Sequence, residues 1–97
     1  MYTSIRRYNV KPDSVNEIIR RAEKGFVPII RQSVGFRAYD LVDTGNNSLT
    51  TISTFDRQAE AEHSNLLAAG WVKENIASLV TEPPTLMGGK VGIHQAK

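Results

Sequence analysis

Apolar side chains recur along this chain with two different spacings, and the alternation between them predicts its secondary structure. Residues 2–10 are rich in side chains that favour strands and are followed by Pro12, so they predict a first strand. After Ser14, apolar residues recur every three or four positions, which is the spacing of one buried helix face. Ser14 and Glu17 have the spacing of a capping box, which predicts that the helix begins here.

Two residues interrupt this first helix. Gly25 favours other conformations, and Pro28 removes one helical hydrogen bond and clashes with the carbonyl group of Lys24. We therefore expect a kink or a restart near residues 25–28, and an end of the helix before Gly35.

The middle of the chain predicts a hairpin. Residues 36–43 and 49–55 read as two strands around TGNNS, a five-residue loop rich in residues that tolerate positive φ. If Asp43 pairs with Leu49, the two faces of the hairpin hold different sets, and neither set is wholly polar, so both faces should be at least partly covered. One set is Arg37, Tyr39, Leu41, Thr51, Ser53 and Phe55, and the other is Phe36, Ala38, Asp40, Val42, Thr50, Ile52 and Thr54.

A second helical region follows the hairpin. Asp56 is a favourable N-cap, and apolar residues again recur at helical spacing after it. Gly70 weakens a helix by about 1 kcal/mol relative to alanine, so we expect a second, separate helix to begin near Trp71. The prolines at 83 and 84 end the helical region, and KVGIHQ, residues 90–95, predicts a short final strand.

The order of elements is thus β-α-β-β-α-β within 97 residues. This order predicts an α+β protein of the ferredoxin-like class, with a four-stranded antiparallel sheet and helices packed on one side. We expect residues 1–97 to form a single domain. Because one sheet face would remain uncovered and partly apolar, we also expect a homodimer whose sheets meet face to face.

Composition narrows the range of functions. The chain has no cysteine, which excludes a thiol nucleophile and favours a reducing compartment, and a formal net charge of +2, which is too small to indicate a nucleic-acid partner. The N-terminus lacks the apolar run of a signal peptide and no segment is long enough to span a bilayer, so we expect a cytoplasmic protein without a membrane partner. The two histidines, His63 and His94, have no ligand spacing, so no metal site is expected.

Two longer segments resemble a known group of proteins. EKGFVPIIRQSVGFRAYDLV contains the interrupted first helix, and STFDRQAEAEHSNLLAAGWVKENIASLV runs from a strand end through a helix to the only tryptophan. With the element order, they resemble the dimeric α+β barrel superfamily, and within it the antibiotic biosynthesis monooxygenase-like proteins. The resemblance covers nearly the whole chain, but it consists of patterns rather than catalytic signatures.

The resemblance implies a pocket between sheet and helices in each subunit and dimerisation through the sheet. Some relatives oxygenate quinols or polycyclic phenols without metal or flavin, some degrade haem, and others isomerise small signalling molecules or have no established activity. The haem-degrading branch uses a first-strand asparagine and a tryptophan followed by a histidine. Asn9 and Trp71 match only by type, and His63 precedes the tryptophan, so haem degradation is not expected.

Oxygenation without a cofactor needs an apolar pocket, a base and polar groups that hold the substrate anion. His63 is the candidate catalytic base, because an ordinary histidine pKa suits proton transfer at neutral pH. Trp71, Phe26 and Tyr39 are candidates for the walls of the pocket, and Tyr39 and Ser53 for hydrogen-bond donors to a small aromatic or quinol-like substrate. No cofactor is expected.

A non-enzymatic function remains open beside this one. A lone histidine on a helix is usually a surface residue, and a lone tryptophan in a small domain usually belongs to the core. The alternative is a ligand-binding or stress-associated dimer of the same fold, in which these side chains are only structural.

Overall fold

The computed structural model describes all residues, Met1 to Lys97, and forms a four-stranded antiparallel sheet with its helices on one face. The strand order is β2-β3-β1-β4. The elements are β1 (Tyr2–Asn9), α1 (Val15–Gly25), α2 (Val27–Arg31), β2 (Phe36–Gly45), β3 (Ser48–Phe55), α3 (Gln58–Asn75), a 3-10 turn (Ala77–Leu79) and β4 (Thr85–Lys90). The predicted α+β, ferredoxin-like class and its order of elements are confirmed.

The strand β1 lies between β3 and β4, and its side chains alternate between the two sheet faces. The residues that point towards the helices are buried: Ser4, Arg6, Tyr8 and the following Val10. Two of these four side chains, Ser4 and Arg6, are polar, and Arg6 carries a positive charge. The strand therefore brings polar groups into the layer between sheet and helices.

The hairpin has the predicted register but a shorter turn. Asp43 pairs with Leu49, as expected. The five-residue loop is wrong, because the strands continue to Gly45 and Ser48 and the chain reverses through Asn46 and Asn47 alone. Both asparagines have positive φ, 53° and 58°, which is the conformation that two-residue hairpin turns require.

An irregularity between Phe36 and Ala38 moves one aromatic side chain to the other face of β2. Phe36 pairs with Phe55 and packs against its ring, with centroids 5.9 Å apart. The sequence pattern predicts Phe36 on the same sheet face as Val42 and Ile52. In the structure, Phe36 packs instead against the core on the helix side.

The first helix breaks where expected. α1 ends at Gly25, Phe26 lies between the two segments, and α2 begins at Val27 with Pro28 in its first turn, where proline removes no helical hydrogen bond. Phe26 is 3% exposed, and the break turns its ring into the core.

The predicted capping box is wrong in its hydrogen bonds, although Ser14 does occupy the N-cap position. The Ser14 hydroxyl donates to the carbonyl oxygen of Lys11 at 2.5 Å instead of accepting from the helix. The Glu17 carboxylate accepts from Arg20, and this hydrogen bond lowers the pKa of Glu17. An arginine one turn away thus offers the carboxylate a stronger partner than the backbone of Ser14 does.

The second helical region is one helix, so the separate helix predicted near Trp71 is wrong. α3 runs without interruption through Gly70, which faces solvent. The cost of about 1 kcal/mol for glycine is offset by burial of neighbouring side chains against the sheet, Ala68 among them.

The N-cap of α3 is Arg57 rather than Asp56. The backbone N–H of Arg57 donates to the Glu60 carboxylate at 3.0 Å, while Asp56 forms an ion pair with Arg37. The helix therefore begins one residue later than the sequence predicts.

The final strand lies earlier than the predicted residues 90–95. β4 is Thr85–Lys90 and pairs with β1, with Gly88 opposite Ser4. A Cβ atom on Gly88 would lie 3.1 Å from the carbonyl oxygen of Thr3 and 3.2 Å from the ring of Tyr2. The glycine allows a close approach within the strand, which a sequence pattern does not distinguish from a flexible connection.

The buried apolar residues form two clusters on the helix side of the sheet. Leu41 and Trp71 pack against both clusters and so connect them. One cluster is Ala22, Phe26, Ile30, Phe55, Ala61 and Ala68, and the other is Tyr8, Val10, Ile18, Leu49 and Ile76.

The opposite face of the sheet has no helix over it. By the strand register this open face carries Ile5, Ile52 and Met87 side by side, with Val42 on the neighbouring strand. Met87 is 63% exposed. None of the helices is long and apolar enough to cross a membrane.

Candidate functional site

A small interior cavity lies between the sheet and the helices, at the junction of the two clusters. Its volume is about 30 Å³, which is room for about one water molecule. The helices contribute the small side chains of Ala22 and Ala68, and the sheet contributes larger ones, so the gap results from short residues facing long ones.

Three aromatic side chains form one wall of this cavity. The ring of Phe26 lies 5.6 Å from that of Tyr39 and 5.7 Å from that of Trp71, measured between centroids. A Cβ atom on Gly25 would lie 3.0 Å from the indole nitrogen of Trp71. The glycine that ends α1 therefore makes room for the indole ring.

A buried arginine also lines the cavity. Arg6 is 2% exposed, and its guanidinium donates to Asn65 Oδ1 at 2.9 Å and to Ser53 Oγ at 3.1 Å. Ser4 Oγ also donates to Asn65 Oδ1, at 2.6 Å. Asn65 and Ser53 hold the guanidinium in one orientation, Ser4 fixes the amide of Asn65, and all three groups are neutral.

Two buried polar atoms beside the cavity have no hydrogen-bond partner within the protein. They are Arg6 Nε and Thr51 Oγ1. Arg6 and Thr51 are directly opposite each other in the sheet, so both side chains project from the same face. Buried polar atoms are rarely left unpaired, so these two are open to a hydrogen bond with a water or a ligand in the cavity.

Two phenols adjoin the guanidinium. Burial raises the pKa of Tyr39 to about 12, with the charge of Arg6 acting in the opposite direction. Burial likewise raises the pKa of Tyr8, again against a smaller effect of Arg6. Both groups are therefore neutral near pH 7 and can donate hydrogen bonds, but neither is a base.

A larger groove adjoins the cavity on the side of α3 and the segment before β4. Its volume is about 370 Å³, within the range of small-molecule sites. Four residues line both spaces, so the groove is the mouth of the cavity. These residues are Arg6, Tyr8, Val72 and Val80.

The structure brings together four of the five residues predicted from the sequence. Trp71, Tyr39 and Phe26 line the cavity. Ser53 is fully buried and accepts a hydrogen bond from Arg6 rather than facing the cavity, so it positions the guanidinium. His63 is exposed and lines a separate surface groove with Glu60 and Val34, away from the other four.

The sequence did not single out Arg6, Tyr8 or Thr51. The period of two in β1 was the available signal, because it places residues 4, 6, 8 and 10 on one face. That face was not recognised as the buried one, since an arginine within it argues for solvent exposure.

Of the residues considered for haem chemistry, Trp71 lines the cavity, whereas Asn9 and His63 do not. The Asn9 side chain donates to the Glu82 carboxylate and lines neither the cavity nor the groove. His94 lies beyond β4 and is exposed. No three His, Cys, Asp or Glu side chains form a group that could hold a metal ion.

The Tyr39 phenol predicts a dependence of stability on alkaline pH. Its pKa of about 12 in the folded chain exceeds the ordinary value of 10.0, so folding favours the protonated form. The stabilisation is complete below pH 10 and is lost as the pH rises through 12, by about 3 kcal/mol in total. Urea unfolding at a series of pH values should show this decline in the native protein and a smaller one in Tyr39→Phe. Parallel curves for the two proteins would contradict the prediction.

Comparison with solved structures identifies the fold. No protein-family model matches the chain, and no curated protein matches it in sequence. A protein of unknown function from Nitrosomonas europaea superposes with a TM-score of 0.81 at 16% identity, covering 99% of this chain and 93% of that one.

Two other similar structures have names that indicate chemistry. A protein from Nitrosomonas europaea, whose name places it among the antibiotic biosynthesis monooxygenases, superposes with a TM-score of 0.76 at 16% identity, covering 96% of this chain and all of that one. MhuD, with two manganese protoporphyrin IX molecules in each active site, gives a TM-score of 0.76 at 13% identity over the full length of both chains. The resemblance predicted from the sequence is confirmed at the level of the fold: this chain has the ferredoxin-like fold of the antibiotic biosynthesis monooxygenase-like proteins.

Proposed function

We propose that this chain binds a small aromatic or quinol-like molecule between its sheet and its helices and oxidises it without a cofactor. The observation that carries the proposal is the aromatic-walled, apolar cavity with a groove of about 370 Å³ at its mouth. The groove has the volume for a small ring, which would lie against Tyr8, Val72 and Leu86, while only the polar end of the ligand would enter the cavity beside the aromatic wall. The names of the antibiotic biosynthesis monooxygenase structures support the reaction class.

The oxidation itself places modest demands on the protein. When an anthrone-like phenol reacts, one O₂ converts a ring methylene into a carbonyl and one water leaves, so the substrate supplies every electron. The protein must bind the ring, exclude bulk water and accept a proton. Glu82 is the only carboxylate that lines the groove, and we include it in the proposal as the proton acceptor at the mouth.

A non-enzymatic binding function is the second candidate. It is favoured by the absence of a base among the residues that line the cavity, whose ionisable groups are Arg6, Tyr8 and Tyr39. In that case the same pocket holds a ligand without turning it over.

We also propose a homodimer formed through the open face of the sheet. Ile5 and Ile52 are directly opposite each other in the centre of that face, and Arg7 and Asp40 are its two charged residues. One cation and one anion on the same apolar face suit a twofold contact, in which each group meets its counterpart on the other copy. A second copy would cover the exposed Met87.

Binding is tested by the fluorescence of Trp71, which is the only tryptophan. A panel of quinols and anthrone-like phenols should quench it saturably at micromolar concentration. Ala68→Val adds two methyl groups where the cavity holds about one water, so it should weaken binding about tenfold. Ala59→Val is the matched control, since it makes the same change on an exposed part of α3. Equal affinities for the two variants would contradict a ligand in this cavity.

Turnover is tested by oxygen uptake with whichever panel compound binds. Removing a base costs about a hundredfold or more in rate, so Glu82→Gln should lower kcat by at least that factor. His63→Ala should change it less than about twofold, because the side chain lies outside the cavity and groove. A large loss in His63→Ala alone would restore histidine as the base, and no uptake by the native protein would favour the non-enzymatic function.

The dimer is tested by sedimentation equilibrium. Ile52→Lys places a charge in the centre of the open face and should shift the native dimer to a monomer, because a desolvated unpaired charge costs several kcal/mol. Val34→Lys is the control, since Val34 is also apolar but is 78% exposed elsewhere. A native protein that sediments as a monomer would refute the proposal.

A further inference from the structure

Arg6 is a buried cation without an anion. Three ion pairs occur in the chain, and none includes Arg6. Its hydrogen bonds go to the amide of Asn65 and the hydroxyl of Ser53. A guanidinium stays charged at any pH a protein tolerates, so the interior holds a full positive charge with only neutral partners.

Such a charge is costly, and an anion would offset the cost. A buried ion is ordinarily paired, because the protein interior replaces its hydration poorly. Arg6 Nε still lacks a partner, and so does Thr51 Oγ1 across the strand. Both residues line the cavity, so one bound oxygen could accept a hydrogen bond from each.

The surroundings leave the positive charge unbalanced. The groove contains one further cation, Lys73, and one anion, Glu82, whose carboxylate already accepts from Asn9. The neighbouring phenols of Tyr8 and Tyr39 are neutral donors. Every polar group that faces the junction of cavity and groove from β1, β2 and β3 is thus a cation or a hydrogen-bond donor.

We infer that Arg6 is the anion-binding residue of this site, and that its ligand is an aromatic monoanion whose charged oxygen lies at the junction of cavity and groove. The inference rests on the proposed function, because the aromatic part of the ligand is the molecule bound there. The charged group is a carboxylate or a phenolate-type oxygen, both of which a guanidinium binds well. Ser53 and Asn65 are positioning residues that hold the guanidinium.

Matched ligands test the inference by isothermal calorimetry. Naphthoate carries a carboxylate, hydroxynaphthoquinone carries an enolate at neutral pH, and naphthalene carboxamide is a neutral analogue of the first. The native protein should bind at least one of the anions ten times or more tightly than the carboxamide. The anion that shows this preference identifies the charged group.

Two variants separate charge recognition from general packing. Arg6→Gln should remove the preference for the anion while changing the carboxamide affinity less than about threefold. Asn65→Asp supplies an internal carboxylate 2.9 Å from the guanidinium, so it should also remove the preference and should raise Tm. If Arg6→Gln does not fold, Asn65→Asp decides the question. A preference that survives in Asn65→Asp would overturn the inference.

A ring-free anion distinguishes failure of this inference from failure of the proposed function. Sodium formate should raise the Tm of the native protein more than that of Asn65→Asp at equal ionic strength. If no aromatic compound binds but this difference remains, the anion site stands and the aromatic ligand is wrong. If the carboxamide binds as tightly as both anions and formate has the same effect on both proteins, the anion site is wrong and the aromatic pocket stands.

Discussion

The helices cover just one face of the sheet. This constraint decides which side chains of each strand are buried and which are exposed. In β1, which has a neighbouring strand on both sides, the period of two sends Arg6 to the helix side together with Tyr8. A residue in the middle of a central strand has no nearby edge over which a long side chain could reach water. The burial of the guanidinium therefore follows from the register, and the polar groups around it follow from that burial.

The helices leave space for the site because they carry small residues where they face the sheet. Ala22 and Ala68 face the sheet where larger side chains would close the layer, and Gly25 leaves space for the indole of Trp71. A helix that carried leucines at these positions would fuse the two clusters into one continuous core. The cavity is thus a consequence of small residues at matched positions on two helices.

Sequence patterns predict this fold well where one local signal decides the structure. The order of the elements along the chain, the pairing of Asp43 with Leu49 and the helix break near Gly25 each depend on periodicity or on a proline. They fail where tertiary contacts outweigh propensity. Gly70 remains helical because α3 buries other side chains, such as Ala68, against the sheet, and Gly88 lies in β4, where strand β1 approaches it closely.

The candidate site was predictable only for its aromatic part. Trp71, Tyr39 and Phe26 are conspicuous as large apolar residues on buried faces, and they do meet. His63 is conspicuous as a chemical group, but a helix position facing the core and one facing solvent differ only by rotation about the axis. The burial of Arg6 depends on two polar partners from separate elements, Asn65 on α3 and Ser53 on β3, which no single stretch of sequence reveals.

The two spaces around Arg6 also limit the size and orientation of a ligand. The segment after the 3-10 turn is held to the end of β1 by backbone hydrogen bonds from Lys11 to Leu79 and from Thr81 to Asn9, each 2.9 Å long. A movement of this segment that widened the cavity would break these two hydrogen bonds. The groove, in contrast, already has the volume for a small ring system. The ring of a ligand therefore fits the groove, and only its charged end needs to pass Val72 to reach the guanidinium. For the aromatic anion proposed above, this arrangement favours flat molecules of one or two rings with a single anionic end.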